Sequence, residues 1–211
     1  MDRYKQLLSN NEEWVTHKLD LDVNFFKDQA AGQKPPFLWI GCADSRVPPD
    51  EITGTHSGDM FVHRNIANMV SHSDLNLMSV LEYGVLHLNV DHIIVCGHTN
   101  CGGVKAALGH TKLGIIDKWI RGIKDVYHDH RTELDGITDE KTQWDKLVEL
   151  NVREQVMNLA KTSFVQKRWA EGKFPVLHGW VYHLEEGKLE AVTKMTKGDE
   201  IDPIYQYDFG S

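Results

Sequence analysis

The sequence is short of several things. It has three cysteines, Cys42, Cys96 and Cys101. An odd count argues against a disulfide framework and for thiols kept reduced in a cytosol-like compartment. Positive charge is not in excess: 23 Lys and Arg stand against 31 Asp and Glu, a net charge of -8. That argues against a general nucleic-acid binder, which needs a basic footprint, and against docking on an anionic membrane surface. No apolar run approaches the ~20 residues needed to span a bilayer. The start, Met1-Asp2-Arg3-Tyr4-Lys5-Gln6, has no apolar leader followed by a cleavage site, so no secretory signal is read. A cytoplasmic protein is expected, or an organellar one whose transit peptide has been removed. Internal repeats, low-complexity segments and domain-splitting linkers are missing too.

What is there reads as one α/β domain over residues 1–211, with an N-terminal helical arm over about 1–32. Tyr4, Leu7, Leu8, Trp14 and Val15 fall near helical spacing. Ser9-Asn10-Asn11 interrupts the stripe and predicts two short helices. Pro35-Pro36 marks a loop. Strands are expected at Phe37–Gly41, Asp59–Arg64 and His92–Cys96, and a short helix after Pro48-Pro49. Asp74 is a candidate N-cap for a helix from Leu75 to about Leu88. Gly97–Gly103 reads as a tight loop and Val104 to about Leu108 as a helix. Residues 114–169 read as helical, most clearly Leu147–Phe164. Two further strands follow, Phe174–Tyr182 and Leu189–Val192, turning at Glu186-Gly187-Lys188, and then a poorly patterned tail. Strand, helix, strand in this order predicts a central, mostly parallel sheet flanked by helices.

Cys42-Ala43-Asp44-Ser45-Arg46 follows the first strand directly. Alternation by two would turn Cys42, Asp44 and Arg46 toward one cavity. After the third strand comes His98-Thr99-Asn100-Cys101-Gly102-Gly103, in which His98 and Cys101 could hold one ion from one tight loop. Each signal alone is weak: a lone cysteine is more often a small buried hydrophobe, and a lone Asp-x-Arg a surface ion pair. Together they lie at strand ends on the same side of the sheet, where α/β sites form. Two thiolates and an imidazole suit Zn2+, with a fourth position that Asp44 could fill or leave. Cys96 is read as core, facing away from the loop chemistry.

These paired motifs resemble the β-class carbonic anhydrases. The similarity extends over Gln33-Lys34-Pro35, Phe61-Val62-His63-Arg64-Asn65, Ser79-Val80-Leu81-Glu82-Tyr83, Val95-Cys96-Gly97-His98 and His178-Gly179-Trp180-Val181-Tyr182. The resemblance implies reversible, zinc-dependent hydration of carbon dioxide to bicarbonate and a proton by attack of zinc-bound hydroxide. It implies zinc on Cys42, His98 and Cys101, with Asp44 as an exchangeable fourth ligand held off by Arg46. It assigns backbone amides at Gly102 and Gly103 to a substrate oxygen, and Gln33 as an amide donor reaching across a dimer interface. A homodimer or dimer of dimers is therefore expected.

Trp39, Arg64 and Tyr182 match a non-catalytic bicarbonate pocket found in a bacterial-type branch of the family. Its occupancy would favour a closed state with Asp44 on zinc. Read from the residues alone, Trp39 and Tyr182 are equally core aromatics and Arg64 an ordinary ion-pair partner. Carbon disulfide or carbonyl sulfide as substrate, and a zinc redox sensor, are the competing functions. Asp44 and Arg46 argue against the sensor. A nucleotide cradle at Gly97–Gly103 fails for want of the lysine and the glycine spacing.

Overall fold

The computed structural model describes residues 2–210 and divides the chain into two compact units, residues 1–34 and 35–211. The first unit is helical: α1 (Arg3–Leu21) and α2 (Phe25–Ala30). The expected break at Ser9-Asn10-Asn11 does not occur. Ser and Asn lower helix propensity by only a few tenths of a kcal/mol each, and Gln6 Nε2 donates to Asn10 Oδ1 across one turn. Neither helix buries a side chain. Trp14, Phe25 and Phe26 pack edge to face, with centroids 5.1–6.2 Å apart.

The second unit opens with β1 (Phe37–Cys42), α3 (Pro49–Thr53) and β2 (Met60–Asn65). Next come α4 (Leu75–Glu82), β3 (His92–His98) and α5 (Gly102–Leu108). The helical stretch resolves into α6 (Ile116–Trp119), α7 (Arg121–Asp129), α8 (Arg131–Asp135), α9 (Glu140–Ala160) and α10 (Ser163–Ala170). The closing hairpin is β4 (Val176–His183) and β5 (Lys188–Met195). Asp74 caps α4 as expected, accepting from Asn76 N, and the last turns to Leu88 are π-helical. Among the described residues no helix is long and apolar enough to cross a membrane.

The sheet runs β2-β1-β3-β4-β5. All pairs are parallel except β4 with β5. Chain direction across the sheet reverses between β1 and β3, so the crevice beyond their carboxyl ends is the expected site for chemistry. One face carries the main core: Leu38, Ile40, Val95, Leu177 and Val181 pack with α9 residues Leu147, Val148, Val152 and Val156. The other face carries a smaller cluster of Trp39, Ile94 and Cys96, with Trp180 and Tyr182 against it.

Two expectations near the site are corrected. β3 runs two residues beyond Cys96, because Gly97 and His98 still pair with Val181 and Tyr182 of β4. Cys96 and His98 therefore share a sheet face rather than opposing one another. Cys96 is core as expected, in the smaller cluster, and burial raises its thiol pKa. Likewise α5 starts at Gly102, not Val104: the first intrahelical bond already runs from Lys105 N to Cys101 O.

Candidate metal centre

β1 ends on Cys42, β3 ends on His98, and Cys101 occupies the position just before α5. Their ligand atoms lie within 4.8 Å of one another, and all three residues are buried. The sulfurs of Cys42 and Cys101 are 4.0 Å apart. Two bonds of about 2.3 Å meeting at a tetrahedral zinc place sulfurs roughly 3.8 Å apart, so the pair is already spaced for a metal. His98 Nδ1 lies 2.9 Å from Thr99 O. That bond takes the Nδ1 proton and leaves Nε2 as the metal-facing nitrogen. His98 Nε2 is buried and has no hydrogen-bond partner among the described residues. A buried polar atom left bare needs an explanation, and an ion between it and the two sulfurs supplies one.

Charge supports the same reading. The Cys101 thiol, against the opposing effect of burial and with help from His98 and the Asp44 and Ala67 amides, holds the Cys42 thiol below its ordinary value. Cys42 and burial push Cys101 up. The two sulfurs are close enough for a thiol of one to donate to the other, and a divalent cation would take the place of that contact.

Asp44 and Arg46 come together by a different route from the one expected. β1 has ended, and the pair is set by a turn: Arg46 N donates to Asp44 Oδ1 at 2.9 Å and Val47 N to Asp44 O at 3.3 Å. Arg46 then closes a two-pronged bond, Nε to Oδ1 at 2.9 Å and Nη2 to Oδ2 at 2.6 Å. This guanidinium holds the Asp44 carboxyl well below the usual carboxylate range. Asp44 Oδ2 stands 3.8 Å from His98 Nε2, beside the three ligand atoms rather than among them. Arg64 fastens the backbone of the same turn, with Nε on Cys42 O at 2.8 Å and Nη2 on Asp44 O.

A family model for carbonic anhydrase matches residues 37–189. A carbonic anhydrase of Emericella nidulans is 48% identical over 99% of this chain and 92% of its own. A tetrameric β-carbonic anhydrase of Sordaria macrospora superposes with a TM-score of 0.88 at 38% identity, covering 93% of this chain and all of that one. The chain belongs to the β-class carbonic anhydrase family. Identity to the Pseudomonas aeruginosa carbonic anhydrase is lower, 33% over 79% of this chain and 77% of that one.

Within this β-carbonic anhydrase the remaining expected residues fall as follows. A side chain at Gly102 would meet nothing within 4 Å, whereas one at Gly103 would strike Ile66 Cγ2 at 2.8 Å. Gly103 thus has a packing reason of its own. Gln33 is exposed and lies in the first unit. Trp39 and Arg64 come from adjacent strands, with Gly41 level with Arg64. The Trp39 ring covers Gly41: a Cβ there would sit 2.3 Å from Trp39 Nε1. Tyr182 packs against the cluster that contains Trp39.

Sequence reasoning missed the residues that hold the ligands from outside their loops. Ala67 N lies 3.4 Å from Cys42 Sγ. Trp144 Nε1 donates to Cys101 O at 3.0 Å. The available signal was polar residues set within the apolar stripe of α9, Asn151 and Gln155 among valines.

Proposed function

We propose that this carbonic anhydrase works with Zn2+ held by Cys42 Sγ, His98 Nε2 and Cys101 Sγ, and that Asp44 and Arg46 gate it. The carrying observation is the bare, buried His98 Nε2 within 4.8 Å of two sulfurs that are themselves 4.0 Å apart. Bound there, Zn2+ supplies Lewis acidity that brings the ionisation of water to near pH 7, a figure that carbonic anhydrases themselves provided. The chain's own groups do the rest. Asp44 accepts a hydrogen bond or proton from the reacting water, and its two bonds to Arg46 keep it from occupying the water's place. The Gly102 and Gly103 amides, at the start of α5, orient a carbon dioxide or bicarbonate oxygen. Gln33 serves the site of a second copy.

Assembly as a homodimer or dimer of dimers fits a helical unit that buries no side chain of its own. It also fits the tetrameric state of the Sordaria macrospora relative.

One observation favours regulation by bicarbonate at Trp39, Arg64 and Tyr182: Trp39 Nε1 is buried without a partner among the described residues. Arg64 meanwhile holds the carbonyls of Cys42 and Asp44. An anion drawing Arg64 away would loosen the turn that presents Asp44, and so close the gate. A steep rise of activity with pH and inhibition by bicarbonate, both relieved in Trp39→Phe, is expected; single-ionisation behaviour in the native chain would refute this regulation.

Stopped-flow hydration of carbon dioxide, with zinc measured on the same sample, tests the main reading. Activity should track zinc content, disappear on chelation and return with added zinc. Cys101→Ala should lose the metal. Full zinc occupancy in that variant would overturn the ligand set.

A further inference from the structure

Cys42 Sγ receives a hydrogen bond from outside its own loop, the Ala67 N–H at 3.4 Å. Ala67 aims that N–H from a left-handed backbone, φ 62°, and Asn68 follows at φ 49°. Two consecutive left-handed residues, neither of them glycine, are disfavoured by their Cβ atoms. Such a kink persists where its surroundings over-determine it.

The surroundings are one face of α9. Asn151 Nδ2 donates to Ala67 O at 3.2 Å. Gln155 Oε1 accepts from Val70 N at 2.7 Å. Gln155 Nε2 donates to Asn151 Oδ1 at 3.0 Å, so the two amides brace one another. Both residues are 1% exposed. α5 closes on the same kink, since a Cβ at Gly103 would fall 3.2 Å from Ala67 Cβ. Mutual satisfaction of buried amides and buried backbone would account for the bonds. It leaves unexplained why an alanine is bent left-handed, and that bend is what turns its N–H to the sulfur.

We propose that Asn151, backed by Gln155, is a positioning residue of the metal centre: it holds Ala67 left-handed and so keeps an N–H on the Cys42 thiolate. This rests on reading Cys42, His98 and Cys101 as metal ligands. A hydrogen bond to an ionised sulfur is charge-assisted and draws charge off it. Bonds of this outer kind tune how much charge a ligand gives its metal. Without the N–H, Cys42 becomes the stronger donor.

The test uses the full chain, isotopically labelled and loaded with an NMR-active isotope of Cd2+. Coupling from the metal to the Cβ protons of Cys42 and Cys101 reports the ligand set. Coupling from the metal to the Ala67 amide proton, through the hydrogen bond, reports the inference. In Asn151→Leu the cysteine couplings should remain and the Ala67 coupling should vanish. In the Co2+-loaded variant the thiolate-to-metal absorption should move to longer wavelength. Adding Ala67→Gly should restore both signals, because glycine takes the left-handed conformation without steric penalty. Should Asn151→Leu fail to fold, Asn151→Asp, which keeps the acceptor for Gln155 and loses the donor to Ala67 O, should likewise lose the Ala67 coupling, and an unmoved coupling there would overturn the inference. Cysteine couplings without an Ala67 coupling in the native chain would overturn the inference. So would an Asn151→Leu variant with coupling and absorption unmoved. Missing cysteine couplings would overturn the ligand reading and the inference with it.

Discussion

Arg46 is largely exposed, yet it makes the shortest ion pair in the site, 2.6 Å to Asp44 Oδ2. Two bonds fix the direction of the carboxylate as well as its charge, and that carboxylate stands 3.8 Å from His98 Nε2, so the pair is placed for a task at the metal centre. If the task is to keep Asp44 off the metal, Arg46→Ala should keep its zinc and its melting temperature. Its turnover should fall by on the order of 100-fold or more, the usual size for loss of a positioned acid–base group. Stopped-flow rates normalised to zinc content check this, and near-normal turnover would sink the gate. Titration gives a second residue-scale expectation. Burial lowers the pKa of His178, and neighbouring His92 and Lys194 add to it. His92 Nδ1 lies 3.1 Å from His178 Nε2. A histidine whose folded pKa is depressed binds its proton more readily when unfolded. Stability is therefore full above the unfolded value of about 6.5 and lost as pH falls through it. Urea midpoints measured across that range should decline toward acid, and the decline should be shallower in His178→Gln.

At the scale of elements the site depends on how closely α9 lies on the sheet. A Cβ at Gly179 of β4 would meet Thr193 Cγ2 at 2.5 Å and Val152 Cγ1 at 2.8 Å; one at Gly97 of β3 would meet Val152 Cγ2 at 2.7 Å. Both glycines lie in strands at ordinary φ, so what they provide is room. Gly179→Ala should destabilise the protein by about 1–3 kcal/mol, the range for overpacking a filled core, read as a lower denaturation midpoint. The same packing explains what the sequence made legible. β1, β2 and β3 showed as apolar runs, and Cys42, His98 and Cys101 as ligand types at the ends of two of them. Continuity of α1 was hidden because Ser9-Asn10-Asn11 weakens a helix without stopping it. The early start of α5 was hidden because Gly102-Gly103 carries no helical pattern. The kink at Ala67 left no mark at all, since Ile66-Ala67-Asn68 contains no glycine. Its conformation comes from Asn151, 84 residues away in sequence. Local pattern finds ligands, whereas the hydrogen bonds that hold them are long-range.

At the scale of the molecule, the first unit differs in kind from the second. The second has an extensive core. Residues 3–30 form two helices in which no side chain is buried, and Tyr4, Leu7 and Leu8 are 67%, 66% and 57% exposed. Single exposed apolar residues are ordinary, but a run of them along one helix marks an interaction surface. In the reading proposed above, the surface belongs against a second copy, and Gln33 at its end serves that copy's site. The two claims are linked and can be broken together. Sedimentation should give a mass that is a multiple of 24.1 kDa, at least a dimer at micromolar concentration. Leu7→Asp with Leu8→Asp should shift the chain toward monomer without lowering its zinc content, because the three ligands all lie in the second unit. Specific activity of this double variant should fall in step with the monomer fraction and recover at high protein concentration. Gln33→Ala should lose comparable activity while staying associated. A fully active monomer would separate the arm from the chemistry and confine every catalytic group to residues 35–211.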